Sequence, residues 1–225
     1  MAPALVRRPS AVIFDMDGLM LDTEAPALRA WESAARGLGR EFDLALCRQM
    51  IGRSFGDCVA LIRDRHGSDY PVDQLTSAWA ADYDAIVAAE GISLKPGLDD
   101  ILDLLDERGI ATAVATSTRR ERARAKLDRV GLLHRFAALV GGDEVARGKP
   151  APDIFIAAAE RLGVAARNCI VLEDSEPGII AAAAAGMTPV MVPDLHPPSA
   201  ELLLLEPLVL ASLSAVAAHL RAIGR

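Results

Sequence analysis

Short apolar runs alternate with longer amphipathic segments along most of the chain. The runs carry no charge, which is typical of strands buried on both faces of a parallel sheet. Segments with helical periodicity lie between them, and the repeated order of strand and helix predicts an α/β fold in which helices cover a parallel sheet. The predicted strands are residues 11–14, 110–115, 138–140, 169–172, 189–192 and 208–210.

Residues 23–93 interrupt this alternation, because they contain helix-period segments and no convincing strand pattern. The predicted helices cover residues 28–38, 44–50, 57–65 and 72–89, and glycines or a proline separate them. We therefore predict that residues 19–93 form a separate, small all-helical domain. Residues 1–18 and 94–225 then form the α/β core.

Composition narrows the possible partners and the compartment. The chain has 225 residues, 52% of them hydrophobic, and a formal net charge of −7, which disfavours binding to nucleic acid or anionic membranes. Three cysteines without CxxC spacing indicate neither a disulfide framework nor a zinc site. The first ten residues lack the apolar segment of a signal peptide, and charge and proline interrupt the apolar stretch 202–220. We expect a cytoplasmic protein that does not associate with membranes and is a monomer or weak dimer.

The first predicted strand leads directly into Asp15-Met16-Asp17-Gly18. Two carboxylates this close are not both stable as bare anions, so either a metal ion neutralises them or one keeps its proton. Both states suit phosphoryl transfer, in which one carboxylate attacks phosphorus and the other protonates the leaving oxygen. The structural alternative is a simple strand-ending turn, because Asp and Gly both favour turns.

Other polar residues follow the later predicted strands. The carboxyl ends of parallel strands share one edge of a sheet, so these distant segments are expected to converge there. Hydroxyl and ammonium groups would bind phosphate oxygens, and hard carboxylate oxygens without His or Cys favour Mg²⁺ over Zn²⁺. The residues are Thr116 and Ser117 after the second strand, Lys149 in a loop after the third, and Glu173 and Asp174 after the fourth.

Four motifs resemble the haloacid dehalogenase superfamily, in its branch of phosphatases and β-phosphoglucomutases. They are Phe14-Asp15-Met16-Asp17-Gly18, Ala115-Thr116-Ser117, Gly148-Lys149-Pro150 and Leu172-Glu173-Asp174-Ser175, and they occur in that order over nearly the whole chain. The resemblance implies a Rossmann-like parallel sheet core with helices on both faces, and a small α-helical cap. It also implies a Mg²⁺-dependent phosphatase that acts on a small phosphorylated metabolite.

The resemblance further implies a role for each motif residue. Asp15 would form an aspartyl-phosphate, and Asp17 would be the general acid and base. Thr116 would bind the transferring phosphoryl group, and Lys149 would offset its charge. Asp15, the carbonyl of Asp17 and Asp174 would hold Mg²⁺, with Glu173 in or next to that shell.

The substrate-binding residues are predicted less directly. Ser117, Glu24, Arg53 and Ser54 are candidates, the last two because they lie in a predicted loop of the cap. A capping or solvated role is an equal alternative for Glu24, and Thr118 is expected to cap a helix that starts with capping-box spacing.

Several functions remain open at this point. Relatives with phosphomutase activity usually carry a cap histidine and a cap arginine where this chain has Ala27 and Phe55. We therefore expect hydrolysis of a sugar or polyol phosphate. The alternatives are a β-phosphoglucomutase-like phosphomutase, a phosphoglycolate phosphatase and, from another class, a receiver-like module that accepts a phosphoryl group without turnover.

Overall fold

A six-stranded sheet lies at the centre of the computed structural model, which describes residues 8–195 and 197–223. The strands are β1 (Ala11–Phe14), β2 (Ala111–Ala115), β3 (Ala138–Val140), β4 (Cys169–Glu173), β5 (Thr188–Met191) and β6 (Leu208–Val209). Their spatial order is β3-β2-β1-β4-β5-β6, and all neighbouring pairs are parallel. The predicted parallel sheet is confirmed. Residues 1–7 and 224–225, which the sequence assigns to the core, lie outside the described residues.

Ten α-helices connect or flank these strands in the described part of the chain. They are α1 (Glu24–Gly37), α2 (Leu44–Met50), α3 (Phe55–His66), α4 (Val72–Glu90), α5 (Leu98–Glu107), α6 (Arg120–Arg129), α7 (Asp153–Leu162), α8 (Glu176–Ala184), α9 (Ala200–Leu203) and α10 (Leu213–Ile223). None of these helices has the length and apolar character that crossing a membrane requires.

Helices cover both faces of the sheet, because alternate residues of each strand point to opposite sides. Val12 and Phe14 of β1 belong to a hydrophobic cluster that includes side chains of α5, α6 and α10. Ala11 and Ile13 belong to a second cluster, with side chains of α7 and α8. This two-sided burial explains why β1 is apolar at every position.

Helices α1 to α4 pack on one another and form what we call the helical insert. They have hydrophobic clusters of their own, around Ile62 and Leu75 and around Ala30 and Tyr83. The four helices predicted in this region are therefore all present.

Strand register determines which residues meet at the carboxyl edge of the sheet. Phe14, the last residue of β1, pairs with Val114 on one side and with Leu172 on the other. One residue further along, Asp15 and Glu173 therefore leave adjacent strands at the same level. Positions that are far apart in sequence meet here because the strands are parallel.

Candidate active site

Lys149 connects two carboxylates at the carboxyl edge of the sheet. Its Nζ donates hydrogen bonds to Asp15 Oδ1 and Glu173 Oε1, each at 2.5 Å, and to the Ala115 carbonyl at 3.3 Å. The lysine side chain is 1% exposed, and both carboxylates are buried as well. The loop after β3 thus delivers an ammonium group between the ends of β1 and β4.

A set of carboxylate oxygens beside this lysine fits a hard cation. Ligand atoms of Asp15, Glu173 and Asp174 lie within 4.8 Å of one another, and Asp174 Oδ1 is buried without a hydrogen-bond partner among the described residues. Glu173 Oε2 accepts hydrogen bonds from the Ser175 main chain and hydroxyl. At Gly18, which has φ +86°, a Cβ atom would overlap the Asp174 carboxylate. An oxygen-only donor set with one unpartnered buried oxygen suits Mg²⁺.

Burial and crowding of charge shift the pKa values of these carboxyl groups. Burial raises the pKa of Asp15 to about 8, and the attraction of Lys149 only partly offsets the effect. Burial and the neighbouring Glu173 also raise the pKa of Asp174. For Lys149, burial favours the neutral amine, but the two carboxylates outweigh it and raise its pKa. Three buried carboxyl groups thus lie beside one ammonium group in this cluster.

Asp17 lies apart from this cluster, and three donors from different segments hold its side chain. Its Oδ1 accepts hydrogen bonds from Thr23 Oγ1 at 2.7 Å and from Lys126 Nζ at 2.6 Å. Its Oδ2 accepts one from Thr118 Oγ1 at 2.7 Å. Burial alone would raise the pKa of Asp17, but the ammonium of Lys126 and these hydrogen bonds lower it below its usual value.

The prediction that Thr118 caps a helix is wrong. The N-cap residue of α6 is Arg119, and the Arg120 main-chain N–H donates to Asp143 Oδ1 at 2.8 Å. An aspartate from the turn after β3 thus accepts from this end of the helix, and the Thr118 hydroxyl donates to Asp17.

Lys126 was not identified from the sequence, although it is one of only three lysines in the chain. It lies on α6, three residues after the buried Ala123, and its side chain is 16% exposed. Its Nζ also lies 5.2 Å from the centre of the Tyr83 ring of the helical insert. Burial raises the pKa of the Tyr83 hydroxyl, while the nearby ammonium opposes that shift. The helical spacing from Ala123 was the feature of the sequence that could have pointed to Lys126, but it could not show which carboxylate this lysine contacts.

Thr116 and Ser117 follow β2 and face different neighbours. Thr116 is buried, and its Oγ1 accepts a hydrogen bond from the Thr118 main chain at 3.1 Å. Ser117 Oγ donates to the Gly52 carbonyl of the helical insert at 2.9 Å. The Ser117 hydroxyl therefore links the core to the helical insert.

A cavity of about 550 Å³ lies between the helical insert and the core, and Asp15, Asp17, Thr116 and Ser117 are among its lining residues. Ala27 and Phe55 also line it, so the positions at which mutases place cations are uncharged here.

The three remaining candidate residues differ in their relation to this cavity. Glu24 lines it, and burial together with the nearby Asp17 raises the pKa of Glu24 to about 7. Arg53 lines it as well, with Nε donating to the Gln49 carbonyl. Ser54 is not among the described lining residues. Instead it caps α3, accepting a hydrogen bond from the Asp57 main chain and donating to the Asp57 carboxylate.

Known proteins resemble this chain over most of its length. A family model described as haloacid dehalogenase-like hydrolase matches residues 9–186. The fructose-1-phosphate phosphatase YqaB of Escherichia coli K12 is 32% identical over 188 residues, covering 84% of this chain and 98% of that protein. The crystal structure of CbbY from Rhodobacter sphaeroides in complex with phosphate has a TM-score of 0.78 at 28% identity, covering 95% of this chain and 99% of that one.

A further relative is considerably longer. The bifunctional riboflavin kinase/FMN phosphatase of Arabidopsis thaliana is 29% identical over 196 residues, which are 87% of this chain and 51% of that protein. The chain thus spans about half the length of that relative.

Proposed function

The chain belongs to the haloacid dehalogenase-like hydrolases, and on that premise we propose that it is a Mg²⁺-dependent phosphatase of a small sugar or polyol phosphate that works through an aspartyl-phosphate. That it hydrolyses phosphate monoesters of small metabolites follows from the family and its named phosphatases. The observation that carries the finer proposal is the buried pairing of Asp15 with Lys149, beside an unpartnered oxygen of Asp174.

Asp15 is suited to be the nucleophile. Lys149 holds Oδ1, and Oδ2 has no hydrogen bond to any described residue. In the first step Oδ2 forms a bond to phosphorus while the bond from phosphorus to the leaving oxygen breaks. In the second step a water oxygen bonds to phosphorus, and the bond to Asp15 breaks to release phosphate. The transition states are loose and anionic, so fixed cations and donors around the phosphoryl oxygens supply most of the catalysis.

Asp17 is suited to move the proton in both steps. It protonates the leaving oxygen in the first step and takes a proton from the attacking water in the second. With Lys126 and two hydroxyls on its oxygens it is held ionised, which suits the second step. A bound phosphate dianion favours the protonated form needed for the first step, because a nearby anion raises the pKa of a carboxyl group.

Asp15, Asp174 and the main-chain carbonyl of Asp17 would hold Mg²⁺, with Glu173 kept beside them by Lys149 and Ser175. The cation, when bound, offsets negative charge on the phosphoryl group. Thr116 adds a hydroxyl at the same edge of the sheet.

Residues 19–93 are proposed to be a cap that excludes bulk water during the reaction. The hydrogen bond from Ser117 to Gly52 supports this role, because it ties the insert to the core next to the catalytic residues. The similarity to a fructose-1-phosphate phosphatase supports a sugar phosphate as substrate. Ala27 and Phe55 leave the two mutase positions uncharged, which favours a phosphatase over a mutase, and Arg53, Arg119 and Arg122 line the cavity from other positions.

The test is phosphate release from p-nitrophenyl phosphate and from a panel of sugar, polyol and glycolate phosphates, with Mg²⁺ and with EDTA. Asp15→Asn should remove turnover, while Asp103→Asn, at an exposed surface ion pair, serves as the matched control. Full activity in Asp15→Asn would refute the nucleophile assignment. Accumulation of one phosphoryl group per chain without release would favour the receiver-like alternative.

A further inference from the structure

The hydroxyl of Tyr83 is a buried polar group without a partner. The residue is 5% exposed, and its hydroxyl has no hydrogen bond to any described residue. Its ring is fixed by stacking on Trp79, with centres 5.6 Å apart, and by packing against Ala30 and Val87. Tyr83 also lines the cavity between the insert and the core. Because an unpaired buried hydroxyl is unfavourable, a ligand oxygen in the cavity is the natural partner.

Lys126 provides a second donor at the same place. One of the three donors on its ammonium is used in the bond to Asp17. The Tyr83 ring lies 5.2 Å from its Nζ, so an insert residue and a core residue meet beside the proposed proton donor.

The position of these two groups relates them to the leaving group of the substrate. A general acid sits within hydrogen-bond distance of the oxygen that it protonates. Lys126 Nζ is 2.6 Å from Asp17 Oδ1 and thus close to that leaving oxygen. An oxygen on the carbon next to the ester carbon would then lie where Lys126 and Tyr83 meet.

We propose that Lys126 and Tyr83 form a leaving-group subsite that recognises a hydroxyl or carbonyl oxygen on the carbon adjacent to the phosphate ester. The proposal rests on the proposed phosphatase function and specifies its substrate class as sugar and polyol phosphates with an oxygen at that carbon. An alkyl phosphate without the oxygen would leave the Tyr83 hydroxyl without that partner, and sites built this way discriminate strongly against such analogues.

The test compares three alkyl phosphates of equal chain length, namely n-propyl, 2-hydroxypropyl and 3-hydroxypropyl phosphate. The wild-type protein should have the highest kcat/KM for the 2-hydroxypropyl ester. Tyr83→Phe keeps the ring and should lower the ratio of kcat/KM for the 2-hydroxypropyl over the n-propyl ester about 3- to 10-fold. Lys126→Met should lower that ratio by roughly 10-fold or more, and Lys126→Arg should restore part of it. Tyr70→Phe, at an insert tyrosine that does not line this cavity, is the matched control.

The outcomes separate this inference from the function on which it rests. Hydrolysis of p-nitrophenyl phosphate by the wild type, with the ratio unchanged in both Tyr83→Phe and Lys126→Met, would overturn the subsite and leave the phosphatase intact. Equal rates of hydrolysis of the three esters by the wild type would likewise overturn the subsite and leave the phosphatase intact. No phosphate release from any ester, p-nitrophenyl phosphate included, would overturn the phosphatase and the subsite together. Circular dichroism and thermal unfolding of each variant check that a lower ratio of kcat/KM values does not result from misfolding.

Discussion

Replacing Gly52 by alanine should impair the contact between the helical insert and the core. Gly52 lies in the loop between α2 and α3 with φ +75°, and its carbonyl accepts the hydrogen bond from Ser117. A Cβ atom at this position would lie 2.5 Å from Ser175 Cβ. Ser175 cannot readily retreat, because its hydroxyl donates to Glu173 and caps α8.

The expected magnitude has two separate parts. Alanine in the left-handed conformation costs about 1–2 kcal/mol, which lowers the free energy of unfolding whether or not the insert contacts the core. The overlap with Ser175 arises only when the insert contacts the core. Carbon atoms normally approach one another to about 3.5–4.0 Å, so the Gly52 loop must withdraw by roughly 1 Å or more. Withdrawal removes the Ser117 hydrogen bond and some packing, together about 1.5–3 kcal/mol. We therefore expect kcat/KM to fall about 10- to 100-fold.

Gly39→Ala is the matched control, because Gly39 has φ +64° and a Cβ atom there would meet nothing within 4 Å. Urea unfolding measures the conformational cost in both variants, and phosphate release measures kcat/KM. Similar losses of stability, with a large loss of kcat/KM only in Gly52→Ala, would support the reasoning. Equal kcat/KM values in the two variants would refute the view that the insert must seat at Gly52 during turnover.

Three further predictions concern the proton donor, the cation and acid stability. Asp17→Asn should lower kcat/KM for alkyl phosphates by about 10²- to 10⁴-fold and for p-nitrophenyl phosphate far less, because kcat/KM reports the first step and nitrophenolate leaves without a proton; equal losses of kcat/KM would contradict the donor role. Mg²⁺ at about ten times its Kd should raise the Tm by roughly 3–6 °C in differential scanning calorimetry. Asp174→Asn should abolish that rise, and an undiminished rise in this variant would place the cation elsewhere. Burial would raise the pKa of Glu144, but hydrogen bonds from Arg161 and the Gly141 main chain outweigh it and lower the pKa from 4.5 to about 2. Its contribution to stability is therefore present above about pH 4.5 and lost as the pH falls toward 2, so Glu144→Gln should cost about 1–2 kcal/mol in urea unfolding at pH 7 and clearly less at pH 3.

The sheet and its carboxyl edge could be predicted because they depend on local pattern and on a general rule of topology. A strand buried on both faces must be apolar at every position, and this pattern predicted strands at residues 11–14 and 138–140. Both strands have the predicted bounds. Parallel strands end at one edge, so Asp15, Lys149 and Glu173 could be expected to meet without knowledge of any loop.

The surroundings of Asp17 could not be predicted in the same way. Its partners come from the start of the helical insert, the turn after β2 and the middle of α6, and no repeat in the sequence relates these segments. Thr118 matched a capping pattern, but Asp143 accepts from the Arg120 main chain and the Thr118 hydroxyl donates to Asp17. Tyr83 likewise depends on how the insert lies on the core. These contacts depend on packing between units, which periodicity does not encode.

The charge balance at the carboxyl edge explains why one lysine is insufficient for the proposed chemistry. Asp15, Glu173 and Asp174 contribute three negative charges when ionised, and Lys149 contributes one positive charge. Burial raises the pKa values of Asp15 and Asp174, and the neighbouring carboxylates add to that rise. A protonated carboxyl group is a poor nucleophile, whereas a divalent cation would bring the total to zero and keep Asp15 ionised at neutral pH. Lys149 keeps Glu173 and Asp15 in place, and under the proposed function an added double positive charge would make Asp15 reactive.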